Sequence, residues 1–391
     1  MTGHNIYLDH SATTPTDPRV VEAMLPYFSE IYGNPSSAHS FGRRAEAAIE
    51  TARETVAHIF NCKPSEIVFT SGGSEGDNLA IRGAAWSARE TQNRNHLITS
   101  PIEHSAVVKT IEQLATVMGF SADYVSVDRH AVVSSASLQE LCQEETALVS
   151  IMYANNEVGT VQPLAELAAV AHEHGALFHT DAVQAAGQLT LDVQQLGVDL
   201  MSISAHKFYG PKGVGALYIR ESVDLISSQT GGSHESGRRA GTHNTPFIVG
   251  LAKALEIAYE EREQHIAHYR HMRDMLVEGI LARVSDAIYT GHPQNRIPSH
   301  ASFLFLGVDS SKLIMHLDMR GVAASGGSAC KTGNPEPSAT LLAMGYPPEE
   351  AIGTLRLTVG RQTTEKDVAY AIDVVAQTVE KLRKLERELG R

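Results

Sequence analysis

Six short apolar runs interleaved with amphipathic segments occupy most of the first 220 residues. No other feature constrains the fold as much. The runs at 66–70, 96–99, 147–153, 176–180, 200–204 and 214–219 are mostly apolar at consecutive positions rather than alternate ones. Strands that read this way are covered on both faces, as in a parallel sheet flanked by helices. The segments between them carry apolar residues at helical spacing, as at 106–118 and 163–174. The second opens with Pro163 and stops before Gly175, the expected polarity of a helix. The pattern predicts an α/β fold with helices on both faces of a mainly parallel sheet.

Beyond about Gly232 the pattern changes. A Gly- and Arg-rich stretch, 231–245, leads into one long helical run over 247–284. A strand at 301–306, a Gly/Ser-rich loop at 325–337 and a closing helix from about Glu365 follow. At 391 residues the chain exceeds an ordinary domain. It is read as a large α/β domain over 16–258 and a smaller α+β domain made of 1–15 and 259–391. Lys and Arg number 32 against 45 Asp and Glu, a net charge of −13. That balance gives no general footprint for nucleic acid or an anionic membrane. Three cysteines without a CxxC spacing argue against both a disulfide framework and a zinc site, so no metal is expected. There is no apolar run near twenty residues and no leader-like N-terminus, so a reducing, cytoplasmic location is expected.

Three constellations carry chemistry. Ser204-Ala205-His206-Lys207 ends an apolar strand and precedes Gly210-Pro211. A lysine at a strand's C-terminal end stands where α/β sheets present ligands. Burial there lowers an amine's pKa and makes it nucleophilic, as a Schiff-base lysine requires. His179-Thr180-Asp181 ends the preceding strand. An Asp there is most often a helix cap, but beside such a lysine its carboxylate can hold the pyridine nitrogen of pyridoxal phosphate protonated. Thr70-Ser71-Gly72-Gly73-Ser74 passes from strand through a glycine turn into a helix, a backbone geometry suited to a phosphate.

With these segments, further motifs make the chain resemble the cysteine desulfurases of NifS/IscS type, in the class V aminotransferase group of fold-type-I pyridoxal enzymes. They are Gly33-Asn34-Pro35-Ser36-Ser37, Glu103-His104, Ala154-Asn155-Asn156-Glu157-Val158-Gly159, Arg239-Ala240-Gly241-Thr242, Ser328-Ala329-Cys330 and Arg356-Leu357-Thr358. The resemblance runs from Tyr7 to Thr364. It implies a PLP-dependent transferase fold of type I, with a seven-stranded type of sheet in the large domain. It further implies that Lys207 carries the cofactor and shuttles the proton at the substrate Cα. Asp181 pairs with the ring nitrogen, Gln184 and Asn155 lie near the ring hydroxyl and the substrate, and His104 stacks on the ring. Gly73, Ser74, Ser204 and His206 cradle the phosphate, and Thr242 reaches it from a neighbouring subunit of a homodimer. Arg356 clamps the substrate carboxylate, with Asn34 also on the substrate side.

Cys330 names the reaction. It stands in a small-residue loop with Lys331 beside it, and a nearby cation favours the thiolate. The resemblance implies that Cys330 attacks the sulfur of L-cysteine, forming a persulfide and alanine, and passes sulfur to an acceptor such as an iron–sulfur scaffold protein. Cys62 and Cys142 read as structural. The competing readings are a selenocysteine lyase, another class V reaction, or a catalytically idle assembly scaffold. Only desulfuration gives Cys330 an obligatory role.

Overall fold

The structure is a computed structural model that describes residues 5–326 and 337–388. Cys330 and Lys331 lie outside the described residues.

The strands in chain order are β1 (Ile6–Tyr7), β2 (Ile67–Thr70), β3 (His96–Thr99), β4 (Ser121–Tyr124), β5 (Thr146–Ser150), β6 (Leu177–Asp181), β7 (Leu200–Ser204), β8 (Gly215–Ile219), β9 (Ala287–Tyr289), β10 (His300–Phe305), β11 (Val322–Ala323) and β12 (Thr354–Thr358). Seven of them form one sheet in the order β2-β8-β7-β6-β5-β3-β4. The neighbours from β7 through β4 run parallel, while β8 is antiparallel to both β7 and β2. That exception corrects the expectation for 214–219. The link from Ser204 to Gly215 is too short for a helical crossover, so the chain turns back as a hairpin.

Successive residues of each inner strand enter different cores. Leu148, Leu200 and Leu217 pack with Leu79, Ile81, Val107 and Ile111 from the helices Gly73–Gln92 and Ser105–Met118. Val149, Met201 and Tyr218 pack on the other side, with Val56, Leu167 and Leu251 from the helices Ser40–Phe60, Leu164–Glu173 and Thr245–Glu260. This two-sided burial is the physical basis of the apolar runs.

The remaining strands build a second centre, with β10 between β9 and β12, all antiparallel, and β1 parallel to β11. Phe303, Leu355 and Leu357 pack there against Leu276 and Ile280 of the helix Arg262–Arg283 and Val375 of the helix Glu365–Glu388, together with Ile6 and Leu8. The N-terminal segment is thus part of this second core. The long helix expected over 247–284 is instead two helices, Thr245–Glu260 and Arg262–Arg283. The break falls at Glu261 (φ −93°, ψ 10°), inside the run Glu260-Glu261-Arg262-Glu263, which offers no apolar position to hold a helix on the core.

Candidate active site

β2, β3, β5, β6 and β7 end at one edge of the sheet, and the residues just beyond them line a cavity of about 220 Å³. Gly73, Ser74, His104, Asp181, Gln184, Ser204, His206 and Lys207, each expected from the sequence, share this cavity with Asp77, Met152, Ala154, Asn156 and Val183.

The helix Gly73–Gln92 begins in the cavity wall. Gly72 holds φ 153° and ψ −178°, a conformation essentially reserved for glycine. The turn lies tight on the sheet: a Cβ at Gly73 would meet Cγ2 of Val183 at 2.6 Å. The start of this helix, at Gly73 and Ser74, therefore lines the cavity directly, together with the polar Ser204 and His206. Burial lowers His206 to about 4, with Lys207 adding to the effect, so its ring is neutral. Its Nδ1 lies 3.1 Å from the hydroxyl of Thr13.

Lys207 follows β7 in a single helical turn, Ala205–Lys207. Its Nζ donates to the carbonyls of Ser11 (2.6 Å) and Ala12 (2.8 Å). Burial, helped by Arg356, brings this amine down to about 8, against the opposing charges of Asp181 and Asp9. Asp181 ends β6, 6% exposed, and its Oδ1 accepts the N–H of Val183 at 2.9 Å. Burial raises its carboxyl, while His104 and Lys207 oppose that rise. His104 caps the helix Ser105–Met118 through Nδ1, which accepts the Ala106 N–H at 3.2 Å, and remains exposed at the mouth of the cavity. Gln184 is locked onto Ser11 at both ends of its amide. Nε2 donates to the Ser11 carbonyl at 3.0 Å, and Oε1 accepts from the Ser11 hydroxyl at 3.1 Å.

Arg356, on β12 of the second centre, is 5% exposed. It donates to Asp9 Oδ1 (2.9 Å) and to the Asn156 carbonyl (2.7 Å), and its Nε has no acceptor. Its hydrogen-bonding capacity is therefore not spent. Asp9, Ser11 and Ala12 hold Arg356, Gln184 and Lys207, and none of the three was singled out from the sequence as a site residue. Main-chain carbonyls carry no sequence signature. Asp77, a buried carboxyl in the cavity, was also missed, because an Asp inside a helix has no local signature of what it faces.

Three expected positions lie elsewhere. Asn155 is fully buried behind the cavity: Oδ1 accepts the N–H groups of Glu157 and Val158, both at 2.9 Å, and Nδ2 donates to the Ile102 carbonyl at 3.0 Å. In this structure it shapes the turn that presents Asn156. Asn34 and the exposed Thr242 line a separate cleft of about 780 Å³ with Arg53, Glu235 and His243, away from Lys207 in the same chain. Cys330 falls outside the described residues. The other thiols are poor nucleophiles, since burial pushes Cys62 up to about 12 and Cys142 to about 11.

A carboxyl group at the C-terminal end of one strand, a lysine of lowered pKa just beyond the end of the next and the start of a helix share one cavity, an arrangement found in enzymes. Residues 6–370 match the aminotransferase class-V family, and the chain belongs to it, among the cysteine desulfurases. It is 46% identical over 378 residues to a protein of Dictyoglomus turgidum named cysteine desulfurase IscS, covering 97% of this chain and 95% of that one. A solved NifS-like protein shares 37% identity at a TM-score of 0.90, covering 96% of this chain and all 100% of the other. The structure of SspA in complex with cysteine shares 35% identity at a TM-score of 0.80, covering 92% of this chain and 100% of that one.

Proposed function

We propose that the chain binds pyridoxal 5'-phosphate in the 220 Å³ cavity and converts L-cysteine to L-alanine, leaving the sulfur on Cys330 as a persulfide. The observation that carries this reading is the convergence of Lys207, Asp181 and the start of the helix Gly73–Gln92 on one cavity. When bound, the cofactor stabilises negative charge at the substrate Cα.

The chain's own residues supply the rest. The Gly73 and Ser74 backbone, with Ser74, Ser204 and His206, offers donors to a phosphate. The Asp181 carboxylate would hold a proton on the ring nitrogen, and the His104 ring would stack on the ring. Lys207 Nζ, close to neutrality, takes and returns the proton at Cα. Arg356 offers a planar guanidinium to the substrate carboxylate, and its Nε, a donor without an acceptor, supports that reading. The Cys330 thiolate attacks the substrate sulfur: a sulfur–sulfur bond forms, the carbon–sulfur bond breaks, and its electron pair stays with carbon, which is protonated to the methyl group of alanine.

The chain is further proposed to act as a homodimer in the cytoplasm and to pass sulfur to an iron–sulfur scaffold protein. Thr242 and Asn34 lie away from the cavity of their own chain, which is consistent with service to a neighbouring subunit. Large apolar side chains near them are exposed: Leu25 at 58%, Phe28 at 55% and Tyr32 at 64%. No helix among the described residues is long and apolar enough to cross a membrane. Incubation of the purified protein with L-cysteine and a thiol reductant should yield alanine and sulfide in equal amounts. Absence of alanine from a cofactor-loaded preparation would sink the proposal.

A further inference from the structure

The floor of the cavity holds a second carboxyl group. Asp77 lies in the first turns of the helix Gly73–Gln92, is 1% exposed and lines the same cavity as Lys207. Its Oδ1 has no hydrogen-bond partner, and Nε2 of His179 stands 3.6 Å from it. One oxygen of Asp77, one of Asp181 and a ring nitrogen of His104 all lie within 4.8 Å of one another. Two buried carboxyls this close, with no strong cation between them, share one negative charge rather than carry two.

The surroundings decide which group keeps it. Asp181 accepts the Val183 N–H and faces Lys207 and His104, all of which favour its anion. Asp77 faces Asp181 and the half-buried Glu103, which disfavour a charge on it, and only the Ser202 hydroxyl offers relief. His179 cannot serve as a cation, because burial takes its ring down to about 3; its Nδ1 and Nε2 lie 2.8 Å and 3.2 Å from the hydroxyls of Ser150 and Ser202. Burial, above all, raises the Asp77 carboxyl well beyond the usual range.

We infer that Asp77 is a positioning residue for the cofactor ring, a carboxylic acid held neutral beside Asp181 so that the pocket floor carries a single negative charge, on Asp181. This rests on reading Asp181 as the partner of the ring nitrogen. A neutral Asp77 leaves the Asp181 charge undivided.

The sign of the pH effect follows. An unfolded chain releases the Asp77 proton near about pH 4, whereas the folded chain retains it. Folding then takes up a proton, and the folding constant falls by up to about tenfold per pH unit as pH rises, until Asp77 itself ionises. The amide of an Asp77→Asn variant has no such proton to release. Thermal or denaturant unfolding of the full chain, cofactor-stripped, between about pH 5 and about pH 9 should therefore show a steeper loss of stability with pH in the wild type than in Asp77→Asn. Glu103, which burial brings to about 8, titrates in both proteins and cancels in the comparison. Asp77→Ser, smaller and equally neutral, should give the same shallower slope should the Asn variant fold poorly.

In the loaded protein Asp77→Asn should keep the cofactor's visible absorbance and bind it within about twofold of wild type, while Asp181→Asn loses both. Equal pH slopes in wild type and both neutral variants would overturn the inference. So would loss of cofactor by Asp77→Asn to the extent seen for Asp181→Asn, which would make Asp77 a second counter-ion. Differing slopes with no effect of either variant on cofactor binding would leave the carboxyl pair standing and overturn the reading of the pocket, and with it the positioning role.

Discussion

At the scale of single residues, the proposed reaction divides the chemistry between Lys207 and Cys330, and each makes a distinct demand. The Lys207 amine, brought to about 8, is protonated below that value and neutral above it. Only the neutral amine attacks a carbonyl, so the rate at which pyridoxal phosphate joins the stripped chain should rise about tenfold per pH unit below about pH 8 and level off above it. Stopped-flow absorbance checks this, and a flat profile from about pH 6 to about pH 9 would contradict it. Cys330→Ser should bind the cofactor normally and make less than about a hundredth of the wild-type alanine, because a hydroxyl does not accept the substrate sulfur. Cys62→Ser and Cys142→Ser should stay within about twofold of wild type, since neither thiol ionises readily. Alanine assays and the mass of a transient extra sulfur on Cys330 test both statements.

At the scale of elements, the site belongs to strand ends and the turns after them. Each parallel strand places its last residues at the same sheet edge. Asp181 and the Lys207 turn thereby become neighbours, although a crossover containing the short helix Val193–Leu196 separates them along the chain. The turn before the helix Gly73–Gln92 is closely packed by its neighbours. A Cβ on Gly215 would lie 2.8 Å from Gly72 backbone atoms, and Gly72 itself holds φ 153°. Gly72→Ala should therefore cost about 1–3 kcal/mol of stability and loosen phosphate binding at the helix start. Denaturant unfolding and a cofactor titration measure the two effects, and wild-type values in both would show that the turn relaxes freely. The strands and helices of the large sheet were legible because burial on two faces leaves continuous apolar runs. β1, β4 and β11 were not. Two-residue strands carry no periodicity, and β4, exposed along most of its length at the sheet edge, is the polar run Ser121–Tyr124.

At the scale of the molecule, two cores meet at the site. The large sheet supplies Lys207 and Asp181, the second centre supplies Arg356, and residues 9–12 tie them together through Asp9, Ser11 and Ala12. The ion pair joins a buried Arg356 to a partly exposed Asp9, so its two charges are screened less than those of a surface pair. The proposed homodimer makes its own prediction. Light scattering should give twice the 42.2 kDa chain mass, and Phe28→Glu should weaken association by placing a charge in the buried face. Activity and cofactor content should fall together with dimer content on dilution. A fully active monomer would refute the shared site.

What the sequence determined by itself was whatever depends on order along one element. The α/β alternation came from the two-sided burial of strands. Lys207, Asp181 and the Gly72-Gly73 turn came from standing immediately after strands that read as buried, and the motif set supplied the family and the role proposed for Cys330. Tertiary structure alone decided what depends on separate segments meeting. It folded β8 back antiparallel because the loop before it is short, and broke the helix at Glu261 where no apolar face continues. It also turned the Asn155 side chain inward to satisfy backbone N–H groups and set Asp77 beside Asp181. Neither that carboxyl pair nor the Ser11 carbonyl under Lys207 has a local signature, because their meaning lies in distances across the sheet edge that no spacing along the chain encodes.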